Sequence, residues 1–585
     1  MEATARAQDV GSAAIPEAEH KLPPSTRAEI DEALAVLRQN KRAWATLGIA
    51  DRIALLEEVI RSTHAVAERW VEAAVRAKAI RPDAPQAGEE WLGGPMVFLR
   101  NLRLLVESLR DIQRVGYPKT PGNPRVRANG QVVVPVFPAT LLDRVLFSGF
   151  SAEIWMQPEV TLENLRETQA IAYRRVKGEG KVALVLGAGN VSSIGPMDAI
   201  YKLIAEDQVV ILKMNPVNGY LGPIFDRALR PFLERGFLRI VYGGAAEGAM
   251  LCHHPSVDEI HITGSDKTHD AIVFGGGEEG RANKAARRPI LNKPITSELG
   301  NVSPVIVVPG PWGPDDLEFQ GANLASMLTN NAGFNCNATR VIVQHRAWPQ
   351  REALLEATRS VFRSAPNRVA YYPGAEERYG SFRAAHPEAE ELGRAGKGEL
   401  PWMLISGLDP AKKDDICFTT EAFCSVTSEV ALDAASVVDF IRAAVEFANR
   451  TLWGTLSAGI LVHPKSLKDP AVAAAVEQAI ADLEFGSVAV NHWPAIAYAL
   501  GCTTWGAFPG HDIYDIRSGR GVVHNTYLFD KPEKSVVRGS FRVFPKPPWF
   551  VTNRMSHEIG RRMTDFEAAP ALGKLPGVLW AALRA

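Results

Sequence analysis

No two cysteines in this chain are spaced as a CxxC pair, and the five present, Cys252, Cys336, Cys417, Cys424 and Cys502, show no zinc-ligand spacing. Neither a disulfide framework nor a cysteine-built metal site is expected. A surplus of one charge is missing too: 65 Lys and Arg stand against 66 Asp and Glu, which leaves no electrostatic footprint for nucleic acid or an anionic membrane. No run approaches the roughly 20 apolar residues that span a bilayer, and residues 1–6 lack the apolar core of a signal peptide. No internal repeat or low-complexity tract is present. These absences point to a soluble, cytoplasmic enzyme with reduced thiols and no stable membrane insertion. What is present, 585 residues at 46% hydrophobic, can bury at least two cores.

Residues 1–24 read as a disordered lead-in ending at Pro23-Pro24. From Ile30 to Ile112 the pattern is helical, with Ile53, Leu56, Val59 and Ile60 on one face. Residues 141–158 combine aromatic and aliphatic side chains and predict a hairpin around Gly149. Beyond Lys181 the apolar runs 182–186, 209–212, 239–242 and 259–262 alternate with helical segments. That alternation marks βαβ units and a buried parallel sheet, for which a nucleotide is the expected ligand. After Glu298 the runs 304–308, 339–343, 458–462 and 487–490 predict a second α/β unit, with helices such as 434–450.

Two stretches carry chemistry. Asn330-Asn331-Ala332-Gly333-Phe334-Asn335-Cys336-Asn337-Ala338-Thr339-Arg340 mounts one thiol between a glycine-containing turn and the apolar run Val341-Ile342-Val343. A cysteine on a loop held by a strand can meet a substrate, and backbone N–H groups beside it can face a developing oxyanion. Upstream, Thr296-Ser297-Glu298-Leu299-Gly300-Asn301 sets a carboxylate on a turn. One segment supplies a nucleophile and the other a base; a lone buried cysteine would otherwise be an ordinary small hydrophobe.

With both stretches in view the chain resembles the aldehyde dehydrogenase superfamily. Glu298-Leu299-Gly300-Asn301-Val302-Ser303-Pro304 is similar to the family's Glu-Leu-Gly-Gly-Lys-x-Pro, and Gly333-Phe334-Asn335-Cys336-Asn337-Ala338 with Arg340-Val341 is similar to Gly-Gln-x-Cys-x-Ala followed by Arg-Val. Gly187-Ala188-Gly189-Asn190 opens like a dinucleotide fingerprint, but Ser192 stands where a third Gly is required. The resemblance assigns the place instead to the family's Pro-Trp-Asn motif, which makes Asn190 the oxyanion donor beside the Cys336 N–H.

The resemblance implies an α/β fold: a Rossmann-like parallel-sheet cofactor domain, a second α/β catalytic domain and a small β oligomerisation arm. Its implied boundaries are 25–140 and 159–297 for NAD(P) binding, 298–525 for catalysis, 141–158 and 526–550 for the arm, and 551–585 for a tail. The tail either docks on the protein or caps the substrate entrance. A surplus within 266–297 reads as a surface loop or a lid. NAD or NADP is the implied cofactor, held by Lys213, Gly243, Gly248, Gly264, Ser265, Leu299, Glu421 and Phe423. Pro216 stands where the family often has Glu, so the choice between the two stays open.

The implied reaction converts an aldehyde to a carboxylic acid through a Cys336 thiohemiacetal and thioester, with Glu298 as base. Release to coenzyme A, a reductase, or a cysteine hydrolase or acyltransferase are the alternatives. A homodimer or homotetramer is expected, with no nucleic-acid partner and no metal.

Overall fold

The computed structural model describes residues 22–176 and 178–585; most of the expected lead-in, residues 1–21, lies outside them. The runs beyond Lys181 form a sheet in the order Gly519–Arg520, Ile295–Leu299, Glu259–Gly264, Val182–Leu186, Val209–Lys213, Leu238–Val241. Only the two-residue edge strand runs antiparallel. Every residue of Val182–Leu186 and Val209–Lys213 is buried. A central strand covered on both faces needs that continuous apolar character rather than alternation.

The N-terminal helices Arg27–Thr46, Ile49–Ala77 and Val97–Val115 bury their apolar stripes, including Leu34, Trp70 and Phe98, in the core of this sheet. The helical pattern breaks at Gly93-Gly94-Pro95. A π-helical segment, Leu92–Met96, takes up the interruption there, as expected where Pro removes a helix hydrogen bond.

The second sheet has eleven strands. Six parallel pairings join Pro532–Arg538, Ser487–Val490, Ser457–Leu461, Pro304–Val307, Val341–His345, Val426–Leu432 and Trp402–Leu408. Ser151–Met156 pairs antiparallel with Pro532–Arg538, and Val132–Phe137 pairs antiparallel with it in turn. Those two stretches therefore extend the large sheet.

Two local expectations are corrected. The hairpin around Gly149 is instead the helix Leu141–Leu146 followed by the strand Ser151–Met156. Thr140 caps that helix and Asp143 returns the bond in a capping box, a helix-start signal that outweighs the β-branched character around it. The surplus within 266–297 is not a loop: it folds as the helices Asp266–Phe274 and Gly277–Ala285. Gly275, at φ 97°, turns the chain between them.

The tail docks. Ile559 and Met563 of the helix Ser556–Ala568, with Val578 and Ala581 of the helix Leu575–Leu583, pack on Met96. Among the described residues no helix is long and apolar enough to cross a membrane.

Candidate active site

Cys336 is placed by a strained turn. The helix Pro314–Thr329 ends in three successive left-handed residues, Asn331, Ala332 and Gly333, at φ 53°, 56° and 82°. A Cβ on Gly333 would stand 2.4 Å from the Cys424 carbonyl oxygen, so glycine is required for space as well as for backbone conformation. Arg340, buried four residues past Cys336, holds the turn. Its Nη2 donates to the Gly333 carbonyl at 2.7 Å, and its Nη1 donates to those of Cys424 and Val426 at 2.7 and 3.1 Å. A guanidinium fork suits several fixed acceptors better than an ammonium does. Arg340 belongs to the nucleophile motif, yet nothing in the sequence attached a role to it.

Glu298 ends the strand Ile295–Leu299, and its buried carboxyl faces the Cys336 thiol and Trp505. Burial, and then the neighbouring Asp198 carboxylate, push Glu298 up to about 8. The Cys336 thiol is raised well above its ordinary value, by burial first and then by the Glu298 and Glu421 carboxyls. Glu298 Oε1 and Trp505 Nε1 have no hydrogen-bond partner among the described residues. A polar atom buried in this state is costly unless something else satisfies it.

Asn190 lies in the loop between the strand Val182–Leu186 and the helix Ile194–Ile204, and its Nδ2 donates to the Phe334 carbonyl at 2.8 Å. An amide nitrogen carries two N–H groups, so one remains for a further acceptor. Gly189 is needed beside it because a Cβ there would meet Asn215 Oδ1 at 2.6 Å. Ser192, the residue that breaks the dinucleotide fingerprint, is buried with its Oγ accepting from Trp70 Nε1 at 2.9 Å.

The residues expected to hold a cofactor fall at the carboxyl ends of the six-stranded sheet and on the facing loop. Lys213 closes its strand, buried, with its ammonium held below the ordinary value by burial and opposed by the Glu247 carboxylate. Gly243, at φ 141°, leads into the helix Ala245–His253, where Glu247 caps the Gly244 N–H at 2.7 Å and Gly248 leaves open space. Gly264 is exposed and pairs with the fully buried Leu299. Ser265 caps the helix Asp266–Phe274, its Oγ accepting from Thr268 N.

Glu421 and Phe423 come from the loop before Val426–Leu432. Glu421 presses on Gly300, where a Cβ would stand 1.9 Å from Oε2. Burial pushes its carboxyl up to about 8 against Arg340 and Arg378, and Oε1 has no partner among the described residues. Phe423, at φ 42°, packs edge-on against Tyr372 with ring centroids 5.0 Å apart, and lies 5.9 Å from Phe334.

The structure thus gathers Cys336 and Glu298, ties Asn190 to the Cys336 loop, and sets the other residues around one edge. A groove of about 750 Å³ lies at the opposite, amino end of the sheet, along Lys181, Gln208 and Glu259, and contains none of these residues. Far from the Cys336 turn in sequence, His386, Asp415 and Cys417 bring donor atoms within 4.8 Å of one another. The two ring nitrogens of His386 already meet Glu388 and Asp415, at 3.0 and 3.1 Å.

Residues 163–370 match the model of the aldehyde dehydrogenase family. Over that stretch the chain is similar to the aldehyde dehydrogenase family. It is 26% identical over 300 residues to 4-trimethylaminobutyraldehyde dehydrogenase A of Danio rerio, covering 48% of this chain and 52% of that one. The Homo sapiens 4-trimethylaminobutyraldehyde dehydrogenase is 26% identical over 277 residues, or 44% and 50%. The chain therefore spans about half the length of the curated relatives it matches.

Solved aldehyde dehydrogenase-like structures cover far more of it. The NADP-dependent glyceraldehyde-3-phosphate dehydrogenase of Bacillus halodurans, complexed with NADP, superposes with a TM-score of 0.58 at 15% identity, over 88% of this chain and 92% of that one. Aldehyde dehydrogenase C of Pseudomonas syringae, a mutant complexed with NAD+ and octanal, gives 0.56 at 15%, over 89% and 90%. At such identity the superposition shows the fold alone.

Proposed function

We propose that this aldehyde dehydrogenase relative oxidises an aldehyde to a carboxylic acid with NAD or NADP. The observation that carries the reading is the half-buried Cys336 thiol facing the buried Glu298 carboxyl, which is pushed up to about 8, at the joint between two sheets. A base is most effective when its pKa lies near the operating pH. Glu298 accepts the thiol proton as Cys336 Sγ bonds to the aldehyde carbon and forms a thiohemiacetal. The free N–H of Asn190 Nδ2 and the Cys336 N–H donate to the oxyanion. Glu298 gives that proton up to solvent and, as a carboxylate again, deprotonates the water that releases the acid from the Cys336 thioester.

The residues fit a nicotinamide dinucleotide. Glu421 offers an orphaned carboxylate oxygen suited to ribose hydroxyls. Lys213 stands at a strand end, Gly248 leaves the first turns of a helix open, and Gly243, Gly264, Ser265, Leu299 and Phe423 complete the edge. When bound, the group supplies the two-electron acceptor that turns the thiohemiacetal into the thioester. Relatives of this fold are described with NADP and with NAD+.

The near-neutral charge and paucity of cysteine support a cytoplasmic location. The strands Ser151–Met156 and Pro532–Arg538 at the antiparallel side of the large sheet support the arm of a homodimer or homotetramer. The six-stranded and eleven-stranded sheets support a division into cofactor and catalytic domains near residue 297.

The test is to mix the purified protein with NAD and then NADP against aliphatic and aromatic aldehydes, octanal and 4-trimethylaminobutyraldehyde among them. Reduced nicotinamide should form, and its formation should vanish in Cys336→Ala. Signal that survives in that variant, or none with any aldehyde, overturns the reading.

A further inference from the structure

Lys78 lies 112 residues before Asn190 and 253 before Asn331, yet it joins them. It follows the helix Ile49–Ala77 and is only 5% exposed. Its Nζ donates to Glu90 Oε1 at 2.7 Å, Asn331 Oδ1 at 2.9 Å and the Asn190 carbonyl at 3.0 Å. An ammonium has three N–H donors, and all three are spent here, each on a different segment.

Tyr371 covers the same two loop oxygens. Its hydroxyl donates to the Asn190 carbonyl at 3.0 Å or to Asn331 Oδ1 at 2.8 Å, with its ring 5.1 Å from the ammonium. The Asn331 amide returns to the Asn190 carbonyl at 3.0 Å and to Asn335 Oδ1 at 3.1 Å.

A buried ion pair that merely anchored the N-terminal helices would need Glu90 alone. Two of the three bonds go instead to the loop that carries the oxyanion donor and to the left-handed turn that carries the nucleophile. That turn holds two non-glycine residues at positive φ, a conformation that persists only where surrounding contacts over-determine it. The same Asn190 sends its side-chain amide to Phe334, two residues before Cys336. Backbone and side chain of Asn190 are thus both held against the Cys336 turn, the first through Lys78.

The geometry points to Lys78 as a positioning residue that sets the Asn190 amide relative to Cys336. The inference rests on the aldehyde oxidation proposed above. Lys78 touches no reacting atom in this arrangement. Its loss removes one of the three donors on the Asn190 carbonyl and one of the two on Asn331 Oδ1, so the oxyanion donor is held more loosely while substrate and cofactor contacts stay. An interaction that matters only as the oxyanion forms lowers kcat and leaves KM nearly alone.

Replacing Lys78 by itself would strand Glu90 as an unpaired buried charge, so the variant of choice is Lys78→Met/Glu90→Gln, which removes both charges. Tyr371→Phe, an uncharged change at the same two oxygens, is the companion should the double variant fail to fold. Hydrogen exchange of the apo protein and steady-state kinetics are measured for each.

The expected result has two parts. Exchange at 188–191 and 330–337 rises about tenfold while the strand Ser487–Val490 stays protected. In the same variant kcat falls about tenfold or more, with KM for the aldehyde within about threefold. The hydroxyl variant should show the same pattern more weakly. Unchanged exchange in those two segments, or exchange that rises evenly across the molecule, overturns the assignment, as does an unchanged kcat. Should the wild type oxidise no aldehyde, the proposed reaction fails by itself, and the exchange measurement still decides whether Lys78 holds the two loops.

Discussion

Glu298 and Glu421 show how one residue type is made into two tools by burial. Both carboxyls are pushed up to about 8, and each keeps one oxygen without a partner among the described residues. Turnover should therefore rise as pH passes upward through about 8, where the carboxylate form of Glu298 appears, and a pH–rate profile would show it. Glu298→Gln should lose that limb. Its burst of reduced cofactor should form more slowly, and steady-state turnover should drop by about a hundredfold; a variant with undiminished turnover would remove the base from the mechanism. Stability follows the opposite sign. A carboxyl whose folded pKa is raised from 4.5 contributes fully below that value and loses its contribution as pH climbs through about 8. Glu421→Gln should accordingly melt higher than the wild type at pH values above about 8 and gain much less near pH 6. At this scale the thiol and carboxyl stretches were legible, because each is contiguous in the sequence. The partners Trp505, Asp198 and Lys78 were not, since no local pattern links them to Glu298 or Cys336.

The nucleophile turn depends on elements that meet edge to edge. Arg340 bridges the turn after Pro314–Thr329 to the entrance of the strand Val426–Leu432, bonding carbonyls on both. Arg340→Lys keeps the charge and loses the fork, so at least one buried carbonyl is left unpaired. A loss of about 2 kcal/mol in urea unfolding is expected, with a slower first-turnover burst. Equal stability would mean that the turn is held by packing alone. The strands were readable where apolar runs were short and punctuated, as in Val182–Leu186 or Ser487–Val490. The helix Leu141–Leu146 was read as strand because its capping box, Thr140 with Asp143, counted for less than the aromatic residues around it. Of the GxG pair, Gly189 serves close packing against Asn215, while Gly187 meets only ordinary contacts.

Across the whole molecule, the C-terminal helix Ser556–Ala568 is fastened by charge at the bottom of the core. Arg100 Nη1 meets Asp143 at 2.9 Å and Glu567 at 2.8 Å, Arg103 Nε adds a bond to Glu567 at 3.0 Å, and Arg100, Asp143 and Glu567 are each at most 1% exposed. Glu567→Ala should therefore cost about 3–5 kcal/mol, because it leaves buried guanidinium charge without its partner; calorimetry against Glu567→Gln would separate the charge from the hydrogen bond. Near-wild-type melting of the alanine variant would show that the tail is held by its apolar face on Met96 instead. By itself the sequence determined which segments could be buried strands and helices, and which residues carried a thiol, a carboxyl and an amide, because periodicity and side-chain chemistry are local properties. Only the tertiary structure decided that Lys78 reaches Asn190 across 112 residues and that Glu298 is buried against Cys336. Burial and proximity belong to surfaces brought together by folding, and they raise an ordinary carboxyl to about 8.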